Sequence, residues 1–289
     1  MDYFIHLLIL ICIYTILAQG FNLPFGAGRL FNLAHVAVYS VGAYTTALLS
    51  TELGVGFWGC IATSILLAAT ASILIGGISL KLSGDYFAIG TIAFASVVSA
   101  LEINWKSLTK GVLGIPGIPR PDIGTIDFYQ NINFLALAFV FMVLCQICFY
   151  IFFNNSIGRS LKAQAEYIPG AEALGKSTKN IKFFSFIAGS TAASIAGSLY
   201  AYYINYIDPS SFSLTEMIFV LTIAVVGRPG SFWGVTISTI FLILLPEPLR
   251  FIDIPPSILG PMRQLLYALI LFFVVYWKKD VIFPVERRI

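Results

Sequence analysis

Residues 132–153 read "INFLALAFVFMVLCQICFYIFF", 22 positions without a charged side chain. An α-helix rises about 1.5 Å per residue, so about 20 apolar residues match the hydrocarbon core of a bilayer. A surface helix of a water-soluble domain would carry a polar stripe; here the amides of Asn133 and Gln146 are the only strongly polar side chains. The stretch reads as a membrane span. Residues 57–80, "FWGCIATSILLAATASILIGGISL", repeat the pattern, with no charge before Lys81.

The composition agrees. Of 289 residues, 58% are hydrophobic and 11% charged, against about 25% charged in soluble domains, which leaves too little polar surface to coat a water-soluble body. Nine candidate membrane segments follow: 3–23, 35–50, 57–80, 86–103, 132–153, 181–204, 214–226, 231–248 and 261–277. The predicted fold is all-α, a polytopic integral membrane helical bundle of about eight to nine segments forming one transmembrane domain over residues 1–289. The second and seventh segments are short and adjoin Gly-rich turns ("PFGAGR" and "VGRPG"), which makes them candidate half-spans. The amino end has no basic region of the kind that opens a cleavable signal, and "HLLILICIYTILAQGF" (6–21) continues as a span. Cys12, Cys60, Cys145 and Cys148 all lie inside apolar runs, where they read as small apolar filler rather than as a metal or redox set. No basic aromatic stripe points to nucleic acid.

Orientation follows from the excess of Lys and Arg on the cytoplasmic side of membrane proteins. The 154–180 loop region, with Arg159, Lys162, Lys176 and Lys179 and with Lys182 beside it, is placed in the cytoplasm. Alternation then puts Arg29, Lys81, Arg228, Lys278, Lys279, Arg287 and Arg288 on the same side. Lys106, Lys110, Arg120, Arg250 and Arg263 fall outside. The long Gly/Pro-rich loop 104–131 is outside as well, and suits docking or gating. Ser213-Leu-Thr-Glu216 has the S-x-x-E form of a capping box, and Ser83 or Asp85 is a candidate cap for the fourth segment.

"GAEALGKS" (170–177) fits the spelling of a phosphate-binding loop, G-x-x-x-x-G-K-[ST]. Its context does not fit. Such a loop needs a strand before it and a free helix N-terminus after it, whereas "RSLKAQAEYIP" precedes Gly170 and a span follows. "AEAL" is helix-forming, and Glu172 would repel phosphate. No ATP site is expected in this chain. Instead "GRSLKAQAEYIPGAEALG" (158–175) places Leu161, Ala165 and Ile168 at helical spacing, is expected to break at Pro169-Gly170, and ends on Gly175, a natural C-cap. That pattern fits a docking element and a solvated connector equally.

The same stretch resembles the coupling loop of ABC-importer permeases. Five further stretches are similar, in order, to LivM-type permeases of branched-chain amino acid and related importers: "NLAHVAVYSVGAYTTALL" (32–49), "LSGDYFAIGTIAFA" (82–95), "SLYAYYINYIDPSSFSL" (198–214), "VVGRPGSFWG" (225–234) and "LLPEPLR" (244–250). Two departures stand out. Arg228-Pro229 interrupts a turn that usually has paired glycines, and "FNLAH" (31–35) leans toward the companion LivH-type permease. The resemblance implies a permease in a bacterial inner membrane, paired with a second, LivH-like permease. It further implies two ATPase subunits, which hold the ATP and magnesium that this chain does not, and a periplasmic solute-binding protein. It assigns ATPase coupling to Arg159, Leu161, Lys162, Ala171, Glu172, Ala173, Leu174 and Gly175. The solute would be a small zwitterion such as a branched-chain or other amino acid, with urea or an amide as the alternatives.

For the translocation path the sequence offers Asn32, His35, Thr91, Gly227 and Gly230, on the argument that broken helix ends present backbone groups to a zwitterion. His35 reads equally as a histidine satisfied by backbone, and Thr91 as one bonded to its own helix. Gly42, Gly76, Gly77 and Gly90 are expected at helix-packing positions. "GAGRLFNLAHVAVYSVGAY" (26–44) and "VVGRPGSFWGVTISTIFLI" (225–243) echo each other. The rival readings are an ion-coupled carrier or channel and a respiratory membrane subunit. Both are disfavoured on the expectation that Glu102 and Glu216 sit at segment ends, leaving only His6 and His35 as ionisable groups near a span and no charged residue in mid-span.

Overall fold

In hydrocarbon every backbone amide must be paired within protein, so long apolar runs fold as helices. The computed structural model describes residues 2–79, 82, 85–124, 126–248 and 255–282, and in it each of the nine segments is helical. Helix α1 spans Asp2–Asn22, α2 His35–Glu52, α3 Phe57–Ser79, α4 Asp85–Asn104 and the short α5 Lys106–Thr109. Next come α6 (Asn131–Asn154), α7 (Ser156–Glu166), α8 (Ile168–Ala173) and α9 (Thr178–Ile204). The last three are α10 (Leu214–Val226), α11 (Phe232–Leu244) and α12 (Pro256–Ile282). Seven segments among the described residues are long and apolar enough to cross a membrane, and the chain is a multi-pass membrane protein. Lys81, Ser83, Arg250, Arg287 and Arg288 lie outside the described residues, as do the side chains of Lys278 and Lys279.

The centre of the bundle is α9, whose buried face is built of Gly, Ala and Ser. Small side chains let helix backbones approach closely. A β-carbon on Gly42 would come within 2.4 Å of the Ser194 carbonyl oxygen, and one on Gly197 within 2.1 Å of that of Tyr39, so α2 and α9 touch backbone to backbone. α1 meets α9 in the same way, through Gly20 and Gly189. Gly77, expected at a packing position, instead faces open space. Around this centre α3, α4, α6 and α12 expose large apolar side chains such as Leu74, Ile89, Phe139 and Phe272. Lipid tails solvate such groups as readily as protein does.

Of the two candidate half-spans, α2 has 18 residues, whereas α10 is short as expected, with 13, and its neighbour α11 also has 13. These two form a tight antiparallel hairpin in which the Ser238 hydroxyl donates to the Ile223 carbonyl at 2.6 Å. α2 also fits the half-span expectation, because it begins inside the bundle. The Leu33 amide donates to Thr91 Oγ1 at 3.1 Å, six residues into α4, or about 9 Å deep at the helical rise. The irregular stretch leading to it is tolerated at that depth because protein surrounds it.

One end of the bundle carries α7 and α8. Leu161 is fully buried there and lies beside Gly28. The kink in this unit falls at Tyr167, which is extended (φ −152°, ψ 98°), two residues before the expected Pro169-Gly170 break. Pro169 lies in the first turn of α8, where its missing N–H has no partner to lose. Residues 170–175 form the body of α8 and its C-terminal turn, and the element before them is the helix α7.

At the opposite end, β1 (Ile115–Pro116) and a β2–β3 hairpin (Asp122–Ile123, Ile126–Asp127) fold over the bundle, and β1 pairs antiparallel with β4 (Tyr206–Ile207). Arg120 pins this loop. Its guanidinium lies 5.0 Å and 5.1 Å from the ring centroids of Phe134 and Tyr203 and donates to Asn205 Oδ1, Phe128 O and Asn131 Oδ1. Burial pushes its pKa below the ordinary arginine value.

Candidate functional site

The start of α2 gathers three of the proposed pathway residues. Asn32, His35 and Thr91 are all fully buried. Asn32 Oδ1 accepts from the Ala34 amide at 3.1 Å, an Asx turn that leads into α2. Thr91 Oγ1 accepts from Leu33 and donates to Ala88 O at 2.9 Å. His35 Nε2 donates to the Leu17 carbonyl at 3.0 Å, with the Phe21 ring beside it. Asn32 Nδ2 and His35 Nδ1 are buried without a hydrogen-bond partner among the described residues.

Gly227 and Gly230 lie apart from these three, in the turn between α10 and α11. The Gly230 amide donates to Asn22 Oδ1 at 2.8 Å, and a β-carbon on Gly26 would come within 2.0 Å of the Gly230 nitrogen. The two echoing Gly-Arg segments therefore meet back to back. Each places its arginine in the left-handed backbone region, Arg29 at φ 51° and Arg228 at φ 67°.

Two cavities lie elsewhere in the bundle. One, about 440 Å³, runs between α2, α4 and the start of α10. Its polar wall is a pair, the Ser40 hydroxyl donating to Glu102 Oε1 at 2.5 Å. The other, about 700 Å³, lies between α1, α10 and α12. The Tyr14 hydroxyl donates to Glu216 Oε1 on its wall at 2.5 Å. Ser213 makes no side-chain cap, so the expected capping box does not form; Glu216 reaches across to α1 instead. Glu102 and Glu216 do lie near the ends of α4 and α10, as expected, yet each side chain turns to a neighbouring helix, so the sequence argument against an ionisable group facing the interior does not hold. Sequence reading missed Tyr14 and Ser40, hydroxyls inside otherwise apolar runs whose partners are 202 and 62 positions away.

In the α7–α8 unit, Leu161 and Ala171 face the bundle. Arg159 donates to Asn154 O at 2.9 Å, and Lys162 lies 5.2 Å from the Phe153 ring centroid. Glu172 Oε1 accepts from Thr178 Oγ1 at 2.9 Å, tying α8 to the start of α9. Gly175 takes φ 71° and donates to Glu172 O at 2.9 Å, closing the helix as a C-cap glycine does. Ala173, Leu174 and Gly175 are exposed, as are Tyr167 and Ile168. Leu174 is 79% exposed, a large apolar side chain at the end of a charged surface.

Comparison with known proteins places this architecture. The family model described as branched-chain amino acid transport system / permease component matches residues 3–275. The high-affinity branched-chain amino acid transport system permease protein LivM of Escherichia coli (strain K12) is 32% identical, over 95% of this chain and 68% of its own length. LivH of Salmonella typhimurium, from the same kind of system, is 27% identical over 79% of each chain. The autoinducer 2 import system permease protein LsrC of Photorhabdus laumondii is 24% identical over 76% of this chain and 66% of its own. No solved structure matches. The family consists of transport permeases and is not a family of enzymes. The chain belongs to the family of branched-chain amino acid transport system permease components and is a membrane permease subunit of the ABC-importer type.

Proposed function

We propose that this chain carries a small zwitterionic solute, a branched-chain or other amino acid, through a bacterial inner membrane, driven by two separate ATPase subunits, one of which docks on α7 and α8. The observation that carries this reading is the two-sidedness of that unit. Leu161 is sealed against the bundle beside Gly28, while Tyr167, Ile168 and Leu174 point away from it. An apolar patch on a charged connector fits a groove on a partner. A second permease of LivH type pairs with this one, and a periplasmic binding protein delivers solute at the end bearing residues 104–131. The α7–α8 end, which includes Arg29, Arg159, Lys162, Lys176 and Arg228, is cytoplasmic by its positive charge. ATP and magnesium belong to the ATPase subunits; this chain carries no cofactor or catalytic residue. Closure of the ATPase pair biases the bundle only if α7–α8 makes different contacts in its two states. Asn32, His35, Thr91 and the Gly227–Gly230 turn lie on the path, a reading supported by the unpaired Asn32 Nδ2 and His35 Nδ1.

Glu172→Lys and Gly175→Pro test the coupling. Proline fixes φ near −65° and removes the N–H, which breaks the turn at Gly175. Both variants are expected to insert in the membrane and to lose solute-stimulated ATPase activity and uptake in the reconstituted transporter. Wild-type activity in both would remove the coupling role from this unit.

A further inference from the structure

The cavity of about 700 Å³ between α1, α10 and α12 holds both signs of charge inside the membrane body. It is lined along α1 from Tyr3 to Tyr14, and the helix between them rises about 16 Å, roughly half of the ~30 Å hydrocarbon core. Tyr3 lies at the end opposite α7–α8, so the cavity leads from that end to mid-membrane. Near its floor Tyr14 holds Glu216, which accepts no second hydrogen bond among the described residues. From α12, Arg263 comes only within 3.9 Å of Glu247, and its Nε is buried without a hydrogen-bond partner. The Phe219 and Tyr267 rings meet across α10 and α12 with centroids 4.5 Å apart and planes tilted by 43°. Glu216 and Arg263 each precede that contact by about one helical turn, which puts them at one level. A carboxylate and a guanidinium at this depth are costly and are kept where they meet a path or a ligand.

Resting on the amino acid reading above, we propose that this cavity is the entry site for the solute's charged head, with Glu216 taking the ammonium group and Arg263 the carboxylate. Tyr14 is a positioning residue that aims Glu216. The apolar wall, including Leu10 and Phe219, accommodates an aliphatic side chain.

Uptake of radiolabelled L-leucine by the complete transporter in proteoliposomes, supplied with its binding protein, tests the site. Glu216→Gln is expected to slow uptake at least tenfold, and Glu216→Asp to keep most of it. A wild type that moves neither leucine nor any other amino acid of a labelled panel would sink the amino acid reading and this site with it. A wild type whose rate Glu216→Gln matches would sink the site alone. Should Glu216→Gln fail to co-purify with its partner subunits, labelling decides. Gln264→Cys lines the same cavity, and Cys148, an exposed native thiol, is changed to serine. The new thiol is expected to react with a charged methanethiosulfonate reagent added from the binding-protein side. Leucine is expected to slow that reaction at least threefold, and 4-methylpentanoate, which lacks the ammonium group, to leave it unchanged. Equal rates with and without leucine, or equal protection by both compounds, overturn the assignment.

Discussion

A left-handed backbone suits glycine and strains any residue with a β-carbon, which makes a glycine the better fit at the position in the α10–α11 turn that an arginine occupies. Arg228 adopts that conformation itself, at φ 67°. Arg228→Gly is therefore expected to stabilise the protein by about 1 kcal/mol, seen as a higher unfolding temperature in detergent; a lower temperature would show that the arginine has a compensating contact. Asp208 offers a test by pH. Burial raises its pKa, but hydrogen bonds from the hydroxyls and amides of Ser210 and Ser211 outweigh that and hold it below the ordinary aspartate value. A carboxylate with a depressed folded pKa contributes stability above its unfolded pKa, near 3.9, and loses it as the pH falls through the folded value. Asp208→Asn should thus unfold at a lower temperature than wild type at pH 6, and the gap should close as the medium is acidified below about pH 4. At this scale the sequence was least legible. Ser213-Leu-Thr-Glu216 is spelled as a cap, and only the fold brings Tyr14 to Glu216.

Helices were the most legible level, because length and apolarity alone decide a membrane span and need no knowledge of neighbours. All nine segments are helical within a few residues of their expected ends, the largest differences falling at the ends of α11 and α12. What the pattern could not supply was depth and contact. It marked α2 as a candidate half-span, but it gave no sign that Thr91 of α4 fixes where α2 starts. It put the α7–α8 break on Pro169, although a proline in a helix's first turn starts a helix as readily as it ends one. Glycines looked alike in sequence and differ in the fold. Gly197→Val would force a β-carbon to within 2.1 Å of the Tyr39 carbonyl oxygen, and overpacking of this kind typically costs about 1–3 kcal/mol. Gly77→Ala meets nothing within 4 Å and gains helix propensity. Size-exclusion profiles after graded heating should show early loss of the first variant and wild-type or better survival of the second.

For the molecule as a whole, class and family could be read from composition and motif order, while the cavities could not, because each is walled by helices distant in sequence. Orientation is the expectation that most needs measurement. Single cysteines at Leu174 and Val112, both highly exposed and at opposite ends, are expected to react with an impermeant maleimide only from the cytoplasm and only from the periplasm, respectively; the reverse pattern would invert the molecule. The contact between the turns at Gly26 and Gly230 also governs how the chain is made. Asn22 finds the Gly230 amide 208 positions later, a wait of roughly 10–40 s at ribosomal speeds of about 5–20 residues per second. Until then Asn22 can reach only Gln19 of its own helix, at 3.3 Å. A nascent chain halted after α9 would lack the amide that closes the two turns on each other.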